Sequence, residues 1–121
     1  MPESRLAAAM DDIRIQSGFD AAVLVDMEGK MLAEVHSPET QPVTVDTLLQ
    51  VANQVTVRAE DKAGVGASGE SEFFDWDGRR IVCRWFKARK PGVLVLLVPK
   101  GKSYKWATNR MVKELQHLIG A

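Results

Sequence analysis

The sequence has a single cysteine, Cys83, so no disulfide can form within the chain, as is typical of proteins from a reducing compartment. It also lacks long apolar runs, because AAVLV and GVLVLLV fall far short of the roughly 18 residues that cross a bilayer. Acidic residues in MPESRLAAAMDDIR interrupt the stretch that a secretory signal would keep apolar. These absences predict a cytoplasmic protein that does not insert into a membrane.

Features of catalytic and metal sites are scarce as well. His36 and His117 fall on different predicted elements, and no cysteine or histidine stands at ligand spacing, so we expect no metal site and two exposed histidines. The sequence has no nucleophile elbow, Walker loop or paired catalytic carboxylates. The segment GVGASG spells G-x-G-x-x-G, but it follows a predicted helix, whereas a dinucleotide site follows a strand. We therefore expect no catalytic residues, no cofactor and no enzymatic activity.

The net charge is zero, yet the charges are unevenly distributed. Residues 1–78 hold 15 of the 16 acidic residues and 5 of the 16 basic ones, whereas residues 79–121 hold 11 basic residues and one acid, Glu114. Such asymmetry indicates an interaction surface. The alternative is that both parts interleave in one fold and give a mixed surface.

Hydrophobic periodicity divides the 121 residues into three helices and five strands, which we expect to form one domain, residues 1–121. Each helix has apolar residues at helical spacing: Leu6, Met10 and Ile13 in the first, Leu48, Ala52, Val55 and Ala59 in the second, and Ala107, Met111, Leu115 and Leu118 in the third. Ser4, Thr44 and Ser103 are predicted to cap these helices, and Gly18 is predicted to end the first.

The spacing Asp-x-x-Gly occurs twice, as DMEG at residues 26–29 and as DWDG at residues 75–78. An aspartate accepts hydrogen bonds from the amides of its own turn, and a glycine adopts positive φ readily. We therefore predict that Asp26 and Asp75 belong to two hairpin corners, and that the first is a type I turn closing into a bulge. Turn chemistry explains the repeated acids better than a catalytic pair does.

Two predicted strands, AAVLV and VLVLLV, are apolar at every position, which is typical of strands covered on both faces. Placing them side by side gives a five-stranded antiparallel sheet of order 2-1-5-4-3. With helix-strand-strand-helix-strand-strand-strand-helix connectivity, this is an α/β fold of the α+β sandwich type. The third strand is then an edge that carries Phe73, Phe74 and Trp76, and a second copy of the chain would cover it.

The segment PKGKSYKW places three lysines around the start of the last helix, where free amides and the helix dipole favour an anion. Lys102, Ser103 and Lys105 are therefore a candidate anion site. The alternative is that the lysines, Lys100 included, simply point into water.

The basic C-terminal part also leaves open the binding of nucleic acid or another acidic partner. Trp76, Trp85 and Trp106 stand among basic residues and could stack on bases, although strand alternation predicts that Trp85 is buried. A sensor domain with a small-ligand pocket under the sheet shares the same order of elements and is a further alternative. The acidic partner is the first of these alternatives, although nucleic acid itself is not the expected one.

The segment SGFDAAVLVDMEGKMLAEV, residues 17–35, resembles the roadblock family, relatives of a dynein light chain and of small-GTPase regulators. It is similar to that family's Gly-x-x-Gly-Ala-Val-Leu-Val-Asp-x-x-Gly-x-x-Leu-Ala pattern, with Ala21 in the place of the second glycine. The order of elements agrees, and the resemblance extends over residues 6–119. The loop VHSPETQPV is longer than is usual in the family, and the last helix opens with the more basic and aromatic KSYKWATNRM.

The resemblance implies an obligate homodimer in which the third strands meet across a two-fold axis and the second helices lie side by side. The implied dimer interface comprises Phe73, Phe74, Val51, Val55 and Arg58. The resemblance also implies a non-enzymatic regulator or scaffold whose partner is a small Ras-like GTPase. Exposed positions of the second helices are the candidate partner-binding residues: Asn53, Gln54, Val57 and Asp61.

Overall fold

The structure is a computed structural model that describes residues 2–61, 71–76, 78–86, 89 and 91–120. For residues 2–4, 42, 43, 55–61, 71–76 and 86 it describes the backbone alone. The helices are α1 (Pro2–Ser17), α2 (Pro42–Asp61) and α3 (Lys105–Ile119). The strands are β1 (Ala21–Asp26), β2 (Met31–His36), β3 (Ser71–Trp76), β4 (Arg79–Phe86) and β5 (Gly92–Val98).

The strands form one sheet in the order β2-β1-β5-β4-β3, with every neighbouring pair antiparallel. The α/β class with three helices and an antiparallel sheet is therefore confirmed. β1 and β5 pair along their whole length, from Ala21 opposite Leu97 to Asp26 opposite Gly92. Every residue of both strands is buried, because helices cover both faces of the sheet centre.

Alternating side chains of the central strands divide the core between the two faces of the sheet. On one face, Leu24 and Leu96 pack with apolar residues of α1 and α3, including Met111. On the other face, Val23 and Val95 pack with apolar residues of α2. The predicted helical stripes are thus buried as far as their side chains are described, except for Leu118 near the end of α3, which is 37% exposed.

The helix ends only partly agree with the predicted signals. Gly18 has a φ of 74° and ends α1, as predicted. The predicted caps are wrong, because α1 and α2 begin at prolines, whose fixed φ suits the first helical position, and Ser4 and Thr44 lie inside those helices. Ser103 also does not cap α3, since the residue before that helix is Tyr104, which makes no capping hydrogen bond through its side chain.

The corner between β1 and β2 is a turn held by the buried Asp26, as predicted. Oδ1 of Asp26 accepts hydrogen bonds from the backbone N–H groups of Glu28 and Lys30, both at 2.9 Å. The backbone N–H of Gly29, whose φ is 85°, donates to the Asp26 carbonyl at 3.0 Å. The pairing register shifts beyond Leu24, which is the predicted bulge.

The second corner joins β3 to β4 through Gly78, whose φ is 75°. The glycine therefore has the conformation that the DWDG spacing predicts. Asp77 and the side chain of Asp75 lie outside the described residues, as does the GVGASG segment.

Candidate functional site

An open cleft of about 610 Å³ lies at one end of the sheet, where β4 begins and β5 ends. Its lining residues are Gly78, Arg79, Arg80, Val98, Pro99, Lys100, Gly101, Lys102 and Ser103. Four of these side chains are basic, and among the described lining residues none is acidic or aromatic. We call this surface the basic cleft.

The lysines of the basic cleft stand on a tight turn that follows β5. The backbone N–H of Lys102 donates to the Pro99 carbonyl at 3.2 Å, which closes a four-residue turn. Gly101 is the third residue of that turn and has a φ of 82°, the sign that a type II turn requires at this place. Lys100 and Lys102 flank the glycine and are both exposed to solvent.

The arginines of the basic cleft come from the first two residues of β4. Arg80 lies opposite Val98 in the sheet, and this register brings the start of β4 beside the turn after β5. Nη1 of Arg79 lies 3.3 Å from Oδ2 of Asp20, and both side chains are about a quarter exposed. An acid from the loop before β1 therefore balances part of the charge of Arg79.

Asp20 also ties that loop to the rest of the sheet end. Its backbone N–H donates to the Leu97 carbonyl at 2.9 Å. Its own carbonyl accepts from the Ser37 N–H at 2.9 Å and from Oγ1 of Thr40 at 3.0 Å. The end of the sheet beside the basic cleft is thus held by backbone as well as side-chain hydrogen bonds.

The structure brings part of the predicted anion site together. Lys102 and Ser103 both line the basic cleft, and Lys102 lies close to the α1–β1 loop, since a Cβ built on Gly18 would be 3.4 Å from its Nζ. Lys105 is exposed on α3 and is not among the lining residues. Arg79 and Arg80 are lining residues that the local sequence pattern did not identify.

The residues predicted for the dimer and for partner binding are described only in part. Val51 is half-buried against the α2 side of the core, whereas Asn53 and Gln54 are exposed. Asn53 lies beside the β1–β2 corner, because a Cβ built on Gly29 would be 3.1 Å from its Oδ1. The remaining side chains lie outside the described residues: Val55, Val57, Arg58, Asp61, Phe73 and Phe74.

The tryptophans do not form a common surface. Trp85 is 8% exposed and packs in the core beneath α2, as strand alternation predicted. Trp106 is 66% exposed on α3, with the Arg110 guanidinium 5.5 Å from its ring centre. The side chain of Trp76 lies outside the described residues.

A polar contact joins β4 to α3 on the opposite face of the sheet from Trp85. Nη1 of Arg84 donates to Oδ1 of Asn109, while Nε of Arg84 is buried without a hydrogen-bond partner. Burial lowers the pKa of the Arg84 guanidinium. This arginine therefore carries a partly desolvated charge that it does not share with the basic cleft.

Within the described ranges, no three side chains of His, Cys, Asp or Glu are placed so that they could hold a metal ion. His36 and His117 are exposed, as predicted. No helix in the same part of the chain has the length and apolar character needed to cross a membrane.

Known structures resemble the fold over nearly its whole length. The gliding protein MglB from Thermus thermophilus is 19% identical, with a TM-score of 0.74, and the match covers 98% of this chain and 90% of that one. MglB in a tetrameric arrangement is 18% identical over 98% and 90% of the two chains, with a TM-score of 0.72. The Roadblock/LC7 domain from Streptomyces avermitilis is 14% identical over 93% and 92%, with a TM-score of 0.65.

By sequence, no protein-family model and no curated protein matches the chain. The structural likeness therefore exceeds what the sequence alone reveals, as happens when the elements and their order persist while most side chains change. The agreement in helices, sheet and near-complete coverage shows that this chain has the roadblock fold.

Proposed function

We propose that the protein is a homodimeric, non-enzymatic regulator or scaffold that binds a small Ras-like GTPase. The observation that carries this proposal is the match to MglB and Roadblock/LC7 structures over more than nine-tenths of the chain. The Ras-like GTPase is the partner that the resemblance of residues 17–35 to the roadblock family implies. A cytoplasmic location would suit such a partner.

The sheet edge supports the proposed homodimer. β3 is the last strand of the sheet, and among the described residues its strand partner is β4. An edge strand leaves one row of backbone N–H and C=O groups without a strand partner, so a second copy can extend the sheet there. One of the similar proteins, MglB, is known in a tetrameric arrangement, so self-association occurs among chains of this fold.

The proposed partner surface lies on α2. Asn53 and Gln54 are exposed to solvent on this helix, with Asn53 beside the β1–β2 corner. If two α2 helices lie side by side in the dimer, these positions from both copies form one continuous surface. Val57 and Asp61, further along α2, belong to the same proposal.

The dimer is tested by light scattering coupled to gel filtration, over a wide range of protein concentrations. We expect twice the 13.4 kDa chain mass, retained on dilution. Phe73→Lys and Phe74→Lys, made separately, should each shift the mass toward the monomer. Met31→Lys is the matched control, because Met31 is an exposed apolar residue on the opposite edge strand, β2. A wild-type chain that stays monomeric at high concentration contradicts the proposal.

The GTPase is tested by affinity purification from the native cell, followed by reconstitution with each Ras-like GTPase recovered. We expect binding that depends on the bound nucleotide and that weakens in the Asn53→Arg, Gln54→Arg double variant. Lys113→Glu, on the exposed face of α3, should bind as the wild type does. A dimer that binds no purified GTPase in either nucleotide state would leave the fold and self-association standing and remove the proposed partner.

A further inference from the structure

We propose that the basic cleft binds a small ligand bearing phosphate groups. Its lining combines Arg79 and Arg80 from β4 with Lys100 and Lys102 from the turn after β5. Arginine and lysine side chains are the usual protein groups for binding phosphate, since they donate charged hydrogen bonds to its oxygens. The ligand class is inferred from this concentration of positive charge.

The positive charges converge from two separate elements. The register that places Arg80 opposite Val98 also brings β4 beside the turn that presents Lys100 and Lys102. Like charges held at one site repel each other, and a bound anion relieves that repulsion. Asp20 balances part of the charge of Arg79, while Lys100 and Lys102 present their charges on side chains exposed to solvent.

The shape of the basic cleft favours a small molecule over a polymer. A volume of about 610 Å³ lies within the range of small-molecule sites, roughly 300–1,000 Å³. Single-stranded nucleic acid is usually held on a longer basic track with aromatic rings on which bases stack. Among the lining residues that the structure describes, none is aromatic, and the exposed ring of Trp106 belongs to α3 outside that set.

Two glycines leave room for a phosphate group to approach the backbone. A Cβ built on Gly78 or on Gly101 would meet no atom of the described residues within 4 Å, so both backbone segments face open space in the described part of the chain. Ser103 adds a hydroxyl at the end of the same turn, where it is exposed to solvent. The site therefore offers charged side chains and an uncrowded backbone to one ligand.

This inference does not rest on the proposed GTPase partner. None of the described lining residues belongs to α2 or β3, and we treat the basic cleft as a site distinct from the proposed dimer and partner surfaces. A ligand could occupy it whether or not the chain binds a GTPase. Failure of one proposal is therefore distinguishable from failure of the other.

The test uses isothermal titration calorimetry of the full chain with inorganic pyrophosphate at low salt. We expect one site per chain, with an affinity that falls as the salt concentration rises because exposed charges are screened. The Lys100→Glu, Lys102→Glu double variant should weaken binding by roughly tenfold or more, since it replaces attraction by repulsion. Both lysines are exposed, so folding should be unaffected, and circular dichroism verifies this.

Two matched variants locate the binding. Lys113→Glu makes the same charge change on an exposed position of α3 that does not line the cleft, and we expect it to bind within about twofold of wild type. Lys105→Glu changes the charge at the start of α3 and not in the cleft. It should therefore weaken pyrophosphate binding less than Lys102→Glu does. Absence of binding at low salt overturns the proposal, as does equal weakening by Lys113→Glu.

The source of the phosphate is decided by parallel titrations. Tighter binding of soluble inositol phosphates than of vesicles carrying phosphoinositides indicates a free ligand, and the reverse indicates a lipid headgroup. Either result supports the phosphate site, provided that the Lys100→Glu, Lys102→Glu variant abolishes it. Tighter binding of single-stranded DNA than of any small phosphate compound, in filter binding at matched salt, would overturn the small-ligand proposal.

Discussion

Arg79 Nη1 lies 3.3 Å from Asp20 Oδ2 and joins the first residue of β4 to the loop that precedes β1. The pair is partly exposed, so its attraction is moderated by solvent. It stands at the border of the basic cleft and sets how much of the Arg79 charge is available there. The pair thus connects the stability of the sheet end to the electrostatics of the proposed site.

We predict that Asp20→Asn increases the affinity for pyrophosphate by about two- to fivefold, because it removes the acid that balances Arg79. The same substitution should lower stability by no more than about 1 kcal/mol, since the backbone groups of residue 20 keep their hydrogen bonds. A urea-unfolding cycle of Asp20→Asn, Arg79→Met and the double variant measures the coupling. Weaker pyrophosphate binding by the folded Asp20→Asn protein would contradict the assignment.

Asp26→Ala should destabilise the protein by about 2–4 kcal/mol, because two partly buried hydrogen bonds from the backbone N–H groups of Glu28 and Lys30 lose their charged acceptor. Asp26→Asn should cost less, since it keeps one oxygen that can accept these bonds. Glu28→Ala is the control, an exposed change in the same turn expected to lie within about 0.5 kcal/mol of wild type. Chemical denaturation of the three variants checks the order, and equal losses for Asp26→Ala and Glu28→Ala would refute it.

The two corner glycines should differ in their tolerance of alanine. Both have positive φ, which costs a residue with a side chain about 1–2 kcal/mol. At Gly78 the new Cβ meets no atom within 4 Å, whereas at Gly29 it would lie 3.1 Å from Asn53 Oδ1. Gly29→Ala should therefore have the lower melting temperature of the two. The Gly29→Ala, Asn53→Ala double variant removes that contact. If the contact matters, the double variant should regain part of the melting temperature that Gly29→Ala loses, once the effect of Asn53→Ala alone is subtracted.

Cys83 is fully buried on the α2 side of the core, which gives its thiol a packing role. We predict that a thiol reagent modifies the native protein only through opening of the structure, so the rate should rise with urea in step with unfolding. Cys83→Ala should leave oligomeric mass unchanged and lower stability by about 1 kcal/mol, since it removes one buried heavy atom. Rapid modification of the folded chain would show that this part of the core is open.

The sequence predicted the parts of the fold that depend on burial and on local turn chemistry. Unbroken apolar runs identified β1 and β5 as strands covered on both faces, and the Asp26 to Gly29 spacing identified a bulged corner. The predicted caps were wrong because the preference of serine and threonine for the capping position is local and can be overridden by neighbouring residues. Prolines at the starts of α1 and α2 fix the backbone more strongly, while α3 begins without a side-chain cap.

Only part of the basic cleft could be predicted from the sequence. Lys102 and Ser103 are neighbours in the chain, so the charge of their segment can be seen locally. Arg79 and Arg80 join them only because β4 pairs with β5, which depends on the order of strands in the sheet. Combining the predicted order with the basic residues that follow the DWDG corner would have found them. The assignments of Phe73, Phe74 and the second half of α2 stay predictions.

The hydrogen bonds that anchor the long β2–α2 loop end on the carbonyl of Asp20, which is a backbone group present whatever side chain occupies that position. Evolution can therefore exchange the acid, and with it the electrostatic character of the neighbouring surface, without loosening the loop. The side chain of residue 20 can thus tune which ligand the surface prefers, while the backbone carbonyl of the same residue keeps the loop in place.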